Sequence, residues 1–158
     1  MKSTQGFTLI ELMIVLLVMG ILATVAVPQL GSTTSNSAAD AAVRILELDL
    51  GYARNHAQTT GRTVRVTPNT NEFENGWVIQ ELNNGATTLI RSRNALDDRV
   101  NIESEQFNSD APIGFTRDGV LESAGTLSIT TEGCKGDRNR NMQLFVSGQI
   151  VKTEVACP

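Results

Sequence analysis

After six mostly polar residues the chain has a long apolar stretch, and it continues as a polar, mixed sequence. Between residues 7 and 27 the only charged residue is Glu11, and the other positions are apolar, small or hydroxyl-bearing. As an α-helix this stretch would be about 31 Å long, which matches a hydrocarbon core about 30 Å thick. The pattern therefore predicts a membrane helix followed by a domain exposed to water.

A second helical pattern covers residues 38 to about 61. Its apolar residues recur at steps of three and four, and Gly61 is a typical helix stop. The stripe consists of Val43, Leu46, Leu50, Ala53 and Ala57. We interpret this segment as the second half of one long helix, and we expect its stripe to pack on the domain that follows.

After Gly61 the helical pattern is replaced by short β-branched stretches between turn-forming residues. The predicted strands are residues 63–67, 77–82, 87–91, 99–103, 113–116, 126–131, 142–146 and 149–155. The predicted hairpin turns are Asn84-Gly85, Asp118-Gly119 and Ser147-Gly148. The expected fold class is α+β, with a long N-terminal helix packed on a C-terminal antiparallel β-sandwich or pair of sheets.

The apolar N-terminal stretch has two interpretations, a retained anchor and a cleaved secretory signal. A secretory signal would end at a small-residue cleavage site, which Val25-Ala26-Val27-Pro28 fits poorly. A retained anchor agrees better, and Lys2 favours placing the polar domain outside the cytoplasm. The predicted division is a leader at 1–6, a transmembrane and assembly helix at 7–28, the second half of the helix at 29–61 and a β-rich domain at 62–158.

Glu11 is a carboxylate inside the apolar stretch. A charged side chain in a membrane helix costs roughly 2.5–3.5 kcal/mol, so it requires a partner or access to the headgroup region. Snorkelling toward the headgroups is one interpretation. The other is an ion pair in the membrane plane. A cut after Gly6 would free the α-amine of Phe7, and the amine of a neighbouring subunit would be a suitable cation for Glu11.

The remaining composition limits the chemistry. The net charge of −4 argues against a generally basic surface for nucleic acids. Cys134 and Cys157, with the lone His56, are too few for a tetrahedral metal site. A disulfide formed in an oxidising compartment is the better interpretation, and on the chain-entropy model it stabilises the fold by about 3 kcal/mol.

Catalysis is not expected from this sequence. We expect His56 to face away from the apolar stripe or flank it, and Asp97-Asp98 to form a solvated turn, because no further acidic residue follows at metal-ligand spacing. Serines and threonines are frequent but have no base partner. We therefore predict a non-enzymatic protein without a cofactor or metal.

The first residues carry a family resemblance. Positions 6–11 read G-F-T-L-I-E and precede the long apolar run, which resembles the N-terminus of type IV pilins and type II secretion pseudopilins. The resemblance implies that a prepilin peptidase cleaves between Gly6 and Phe7 and methylates the Phe7 amine. It also implies that Glu11 pairs with a neighbour's N-terminus during assembly. Pro28 falls where pilins commonly carry a proline that kinks the helix.

The second half of the chain narrows this resemblance. Residues 50–66 read L-G-Y-A-R-N-H-A-Q-T-T-G-R-T-V-R-V, similar to the A-R-x-x-A…G-R-x-V stretch of the GspH/FimT group of minor pilins. Gly76-Trp77, Ile113-Gly114-Phe115, Asp118-Gly119 and the late cysteine pair also match. On this resemblance, Arg54 and Arg62 are expected to support the junction between helix and sheet.

The group resemblance implies a FimU-like minor pilin that helps to prime assembly of a type IV pilus or to cap it. Its expected partners are other minor pilins, the major pilin and the prepilin peptidase. Before assembly it would lie in the bacterial inner membrane with a periplasmic domain, and after assembly in the pilus, at its tip.

DNA binding is the first alternative. FimT-like members of the group bind DNA through a G-R-x-R motif in the last strand pair. Here Gln149 replaces the first arginine, and Val151 lies near the position of the second. The loss of two arginine forks removes much of the anchor for phosphates. DNA contact would fall to Lys135, Arg138, Arg140 and Lys152, and it is not favoured.

A minor pseudopilin of a type II secretion system is the second alternative. The N-terminal motif is common to both systems, and Pro28 leans toward the pilus subunit. A genomic neighbourhood of secretion genes or of pilus genes would separate these two functions.

Overall fold

The computed structural model describes residues 8–158, except for the side chains of residues 23–31. Within them the chain forms one long helix followed by β-strands. The elements are α1 (Leu9–Thr60), β1 (Thr63–Pro68), β2 (Trp77–Asn83), β3 (Ala86–Arg93), β4 (Val100–Glu103), β5 (Ile113–Phe115), β6 (Gly125–Thr131), β7 (Asn139–Leu144) and β8 (Ile150–Val155). Two short 3-10 turns, Asn69–Asn71 and Phe73–Asn75, connect β1 to β2.

The helix α1 ends at the residue that the sequence predicts. Gly61 adopts a left-handed conformation with φ of 66°, and its N–H donates to the carbonyl of Ala57. Glycine is suited to this position because it has no Cβ. The two predicted helical segments belong to a single element.

The strands form two four-stranded antiparallel sheets. The order is β3-β2-β1-β5 in the first sheet and β4-β6-β7-β8 in the second. Asn84 and Gly85 both have positive φ, 49° and 85°, as the predicted two-residue hairpin turn requires. Gly119 and Gly148 also have positive φ, which agrees with the turns predicted there.

Both sheets and the helix share one core. The five residues of the predicted stripe are buried, and four of them are completely inaccessible. Along β1, buried residues alternate with partly exposed ones, so one face of the first sheet is turned to the helix. The other large buried side chains of the same core are Trp77, Phe73, Phe107, Phe115, Ile79, Ile113, Leu127, Ile129, Met142 and Leu144. The predicted packing of the stripe on the β-domain is confirmed.

The last hairpin differs from its predicted bounds. The strand expected at residues 142–146 is β7, which begins and ends earlier. Phe145 belongs to the turn, because its N–H donates to the Gln149 carbonyl and its carbonyl accepts from Gly148, at 2.9 and 2.8 Å. Asn139 starts the strand instead, and its buried amide oxygen accepts from the N–H of Thr131 at 2.9 Å. A hydrophobic pattern does not reveal a strand that starts on a buried amide.

The predicted disulfide is present between Cys134 and Cys157, with 5.7 Å between the Cα atoms. It joins the loop before β7 to the segment after β8. The final two strands are therefore enclosed in one covalent loop.

This loop also contacts the helix. The N–H of Lys135 donates to Oδ1 of Asn36 at 2.9 Å. One turn further along α1, Nη1 of Arg138 lies 2.9 Å from Oδ2 of Asp40. The disulfide thus holds in place Lys135 and Arg138, which attach the loop before β7 to α1 at Asn36 and Asp40.

We expect the double substitution Cys134→Ala/Cys157→Ala to lower the free energy of unfolding by about 3 kcal/mol, because the unfolded chain regains the entropy of the open loop. Thermal unfolding of the full chain in detergent, followed by circular dichroism, measures this. Reductant should destabilise the wild type and leave the double variant unchanged. A reductant effect of equal size in both proteins would contradict the prediction.

Candidate functional site

The described side chains at the start of α1, from Leu9 to Leu22, are not covered by the domain. From Leu9 to Leu22, 12 large apolar side chains are between 46% and 77% exposed. Contiguous apolar surface of this extent usually marks a contact with another molecule. We call residues 9–22 the bare half of α1, and these residues form the candidate assembly surface.

Within the part of the chain whose side chains are described, no helix is both long and apolar enough to be a candidate membrane span. The predicted segment 7–28 includes residues outside that part, so it stays a prediction.

The residues predicted to act in processing and assembly are only partly within the described chain. Gly6 and Phe7 lie outside it, and Pro28 lies among the residues without described side chains. Glu11 is described: it is exposed and occupies the first turn of the helix. Its N–H donates to the hydroxyl of Thr8 at 3.3 Å, so Thr8 caps the helix there. A carboxylate in the first turn also interacts favourably with the helix dipole.

Asp49 is a completely buried carboxylate between α1 and the first sheet. Its oxygens accept hydrogen bonds from Nε1 of Trp77 at 3.0 Å and from Nη1 of Arg91 at 2.9 Å. Arg93 donates from both Nε and Nη2, at 3.0 and 2.9 Å. One helical residue is therefore bound by side chains from both β2 and β3.

The charged state of Asp49 is stabilised by these donors. Burial alone raises its pKa, but hydrogen bonds from Arg93 and Arg91, the charge of Arg93 and the hydrogen bond from Trp77 bring the pKa below its ordinary value. The guanidinium groups remain partly exposed. On folding, the Asp49 carboxylate thus loses its hydration and accepts hydrogen bonds from these three side chains instead.

Asp49 was not among the residues predicted from the sequence to have a special role. The available signal was its position, since it lies three residues after Leu46 and four before Ala53 and therefore on the apolar face. An acidic residue on such a stripe requires a cationic or hydrogen-bonding partner, and Arg91 and Arg93, two residues apart on β3, are candidates for it.

A second ion cluster lies near the C-terminal end of α1, where the helix meets the first sheet. Glu81 of β2 accepts from Arg62 and lies 2.9 Å from Nε2 of His56. The hydrogen bond from Arg62, then that from His56, lower the pKa of Glu81 below its ordinary value. His56 thus flanks the buried stripe, and both His56 and Arg62 contact the sheet through Glu81.

Arg54 attaches the helix to the last hairpin. Its Nη1 donates to the carbonyl of Gly148 at 3.0 Å, and its Nη2 to that of Ser147 at 3.1 Å. A Cβ at Gly148 would lie 2.5 Å from the carbonyl oxygen of Gly119. The residues that carried the family resemblance at this corner therefore hold helix, loop and hairpin together.

Asp97 forms part of a turn, as predicted for the Asp97-Asp98 pair. Its carboxylate accepts from Nε of Arg99 at 2.7 Å and from Nη2 at 2.8 Å. The hydrogen bonds from Arg99 lower the pKa of Asp97 to about 2. Across the described residues, no group of three or more candidate metal ligands comes together.

The four candidate DNA contacts do not form one free cationic patch. Arg138 pairs with Asp40, and Arg140 with Glu154. Lys152 is on β8, with its Nζ 2.8 Å from a carboxylate oxygen of Glu47 on α1. Lys135 is exposed and contributes its backbone N–H to the helix contact. Carboxylates beside three of the four cations reduce the attraction for phosphates.

Comparison with protein families gives two matches. A model described as type II transport protein GspH matches residues 42–149, which include the folded half of α1 and most of both sheets. The chain belongs to the GspH family. A model of the prokaryotic N-terminal methylation motif matches residues 1–27, the part that contains the bare apolar half of α1.

Two curated proteins are similar to part of this chain. Two fimbrial proteins of Pseudomonas aeruginosa are 35% identical over 88 residues, which are 54% of this chain and 56% of each relative. The match therefore spans little more than half of each protein.

The pilin-like fold is shared with crystal structures of the type IV minor pilin FimU of Pseudomonas aeruginosa. One of them has a TM-score of 0.60 at 19% identity and covers 75% of this chain and 99% of that one. The minor pseudopilin EpsH of the type 2 secretion system of Vibrio cholerae has a TM-score of 0.56 at 14% identity, covering 77% and 96%. At these identities the likeness concerns the fold, and this GspH-family chain has the pilin fold.

We expect Asp49→Ala to lower the free energy of unfolding by roughly 3 kcal/mol, because it leaves the buried N–H of Trp77 and two arginines without their acceptor. Denaturant titration of the full chain in detergent measures this. Asp110→Ala, which removes an exposed carboxylate, is the matched control and should change stability little. An equal effect of both substitutions would contradict the role of Asp49.

The free energy of unfolding should also decrease at acid pH. Folding lowers the pKa of Asp49, Glu81 and Asp97, so their contribution is complete above the unfolded values, near 4, and is lost as the pH falls through the folded ones. We expect the free energy of unfolding to change little above about pH 5 and to decline from about pH 4.5 toward pH 2. Asp49→Asn should show a shallower decline, and an unchanged slope would oppose this account.

Proposed function

We propose that this GspH-family chain is a FimU-like minor pilin, a structural subunit that helps to prime assembly of a type IV pilus or to cap it. The observation that supports this most is the division of α1. Its C-terminal half is packed into the domain, whereas its N-terminal half exposes 12 large apolar side chains. Such a helix can leave a membrane only by inserting among other apolar helices, since water would not cover that surface.

The proposed mechanism is lateral docking of this bare half among the helices of other minor pilins and the major pilin. A prepilin peptidase would cut between Gly6 and Phe7 and methylate the new amine. The carboxylate of Glu11 would pair with the N-terminal amine of a neighbour and set the position of each helix along the next. Before assembly, the chain would reside in the inner membrane with its β-domain in the periplasm.

Processing tests the first step. Mass spectrometry of the chain from sheared filaments should give a mature form that begins with N-methylated Phe7. A mature protein that begins at another residue would rule out the pairing of Glu11 with that amine. Loss of surface pili in a deletion strain is expected as well, and normal piliation would count against a priming role.

We expect Glu11→Ala to remain in the membrane and to fall at least about tenfold in sheared filaments, because an apolar helix inserts readily but has lost its charged pairing group. Immunoblotting of membrane and filament fractions measures both amounts. Glu105→Ala, in an exposed loop of the β-domain, is the control and should be incorporated normally. Normal incorporation of Glu11→Ala would refute the pairing.

A role as a type II secretion pseudopilin is the second candidate, and the GspH family match and the fold shared with EpsH favour it. The deletion strain distinguishes the two. Lost secretion of folded exoproteins with normal piliation would select the secretion system.

DNA uptake is less well supported, because three of the four candidate cations are paired with carboxylates. We expect the full chain in detergent to give no shift of duplex DNA in a gel at low salt. Binding that weakens with salt and disappears when Lys135, Arg138 and Arg140 are neutralised would establish the DNA-binding function instead.

A further inference from the structure

Four strands lie at the edges of the two sheets, and three of these edges are protected. The N–H of Glu122 covers the edge of β5 by donating to the carbonyl of Gly114 at 2.8 Å. In β4, the N–H of Ile102 donates to the carboxylate of Glu74 at 3.3 Å. The pairing of β3 with β2 skips Ile90, which interrupts that edge. Covered backbone groups and bulges are common protections against pairing with another chain. Among the described strands, β8 is the edge without such protection.

The backbone of β8 faces outward at every second residue. At the turn that begins β8, the N–H of Phe145 donates to the carbonyl of Gln149, and hydrogen-bonded pairs recur at alternate positions along an antiparallel ladder. The residues of β8 that bond to β7 are therefore Val151, Thr153 and Val155. We call the residues whose N–H and C=O point away from β7 the open row, and they are Ile150, Lys152 and Glu154. Within the described chain, no hydrogen bond reaches these outward groups.

The side chains of β8 also favour pairing with another strand. Val151 and Val155 are 37% and 36% exposed, and they lie with Thr153 on the face of the sheet turned away from α1. Charges that would protect an edge lie on the opposite face and are already paired, Lys152 with Glu47 and Glu154 with Arg140. β-branched side chains pack well against neighbours across a strand pair. The edge is therefore suited to an uncharged strand surface.

A groove lies between α1 and the start of β8. It has a volume of about 360 Å³, and its lining includes Gly51 of the helix and Ile150 of the open row. No atom lies within 4 Å of the position a Cβ would take at Gly51, so the chain itself has room for a larger residue there. A glycine inside a helix is destabilising relative to alanine. Its presence keeps the groove open beside the unpaired edge.

The groove also carries a positive charge. Arg54 lines it, and its guanidinium donates to the carbonyls of Ser147 and Gly148. Glu47, the other charged residue of the lining, pairs with Lys152, and among the described residues Arg54 has no carboxylate partner. A carboxylate that entered the groove would therefore meet an uncompensated cation.

We propose that the open row of β8 binds an extended strand of a different protein of the filament, which adds to the second sheet and places a carboxylate in the groove at Arg54. This rests on the proposed function, since the filament brings the partner to the edge. Strand addition satisfies the outward backbone groups, and Val151 and Val155 favour apolar or β-branched side chains on the added strand. Backbone pairing supplies affinity, and the carboxylate supplies selectivity.

A second copy of the chain does not fit this site. β8 runs opposite to α1, because Gly148 before the strand contacts Arg54, whereas Lys152 contacts Glu47 earlier in the helix. Antiparallel pairing of two β8 edges would relate the copies by a two-fold axis and reverse one helix relative to the other. The bare halves of α1 would then point in opposite directions and could not enter one filament together. The partner is therefore heterologous.

Photocrosslinking tests the position and the partner. Thr153 is replaced with p-benzoylphenylalanine in the full chain, produced in its own cells, and Leu89 on the interrupted edge of β3 receives the same probe as the control. After irradiation of filaments, mass spectrometry should place the Thr153 crosslink on an acidic segment of a different protein, and the Leu89 sample should lack that product. A crosslink to a second copy, to lipid alone or to a segment without a carboxylate, the same product from both probes, or no product, would overturn the proposal.

Proline tests the backbone of the open row in the same assay. Lys152→Pro removes an outward N–H and leaves the bonds to β7 intact, whereas Lys152→Ala removes only the side chain. We expect the crosslink yield at Thr153 to be at least about tenfold lower in Lys152→Pro than in Lys152→Ala. Circular dichroism should show similar thermal unfolding of the two variants. Equal yields would refute strand addition, and if Lys152→Pro does not fold, the groove variant decides.

Filling the groove is that second test. Gly51→Leu places a side chain in open space and raises helix propensity, so the unfolding temperature should not fall. The crosslink yield at Thr153 should fall about tenfold or more, because the partner's carboxylate can no longer enter. Asn55→Leu, which adds the same side chain at an exposed position of α1 outside the groove, should leave the yield unchanged. An undiminished yield in Gly51→Leu, or an equal loss in both variants, would contradict the proposal.

The same filaments distinguish failure of this inference from failure of the proposed function. If the wild-type chain is present with a mature Phe7 terminus but no crosslink forms at Thr153, only the strand-addition site is wrong. If the chain is absent from filaments, the proposed function fails and this inference fails with it.

Discussion

The attachment of the helix to the first sheet depends on a charge placed where water cannot reach it. Asp49 is stable there because an indole and two guanidinium groups replace its hydration. These donors come from β2 and β3, so their geometry is satisfied at a single position of the helix along the sheet. An apolar interface of small and branched residues, such as the alanines and leucines of the stripe, would tolerate a shift of one turn far more easily. The carboxylate therefore adds specificity to an interface whose stability comes mainly from apolar burial.

Other polar contacts join α1 to the β-domain along the C-terminal half of the helix. Glu81 binds His56 of α1 and Arg62 just beyond it, Arg54 of the helix binds the hairpin between β7 and β8, and Asn36 accepts from the disulfide loop. Each contact joins the helix to a different part of the β-domain. The domain is consequently attached at several points to the C-terminal half of α1, whereas the described side chains from Leu9 to Leu22 are exposed. This separation of a folded half from a bare half is what makes a role as an assembled subunit reasonable.

Much of this fold could be predicted from local sequence. Periodicity located the stripe on α1, β-branched runs located the strands, and Asn84-Gly85 identified a hairpin turn. Periodicity places Asp49 on the buried stripe, but the clusters around Asp49 and Glu81 could not be assembled from local patterns, because the partners of both carboxylates lie far away in sequence. The start of β7 at Asn139 was missed for a related reason, since a buried amide is satisfied by tertiary contacts. The motif at Gly6 and Phe7, in contrast, is read from sequence alone.

The contact between the disulfide loop and the helix has a mechanical consequence. Asn36 and Asp40 are the helical residues nearest to the bare half that are held by this loop. A tension applied along the N-terminal half would reach the β-domain at Ser35, which accepts from Arg99, and at these two residues. The load would pass into a loop whose ends are joined by a covalent bond, so the last hairpin cannot be peeled away strand by strand. In the proposed role as a filament subunit, the covalent loop would therefore resist a pull on the helix even after individual hydrogen bonds had broken.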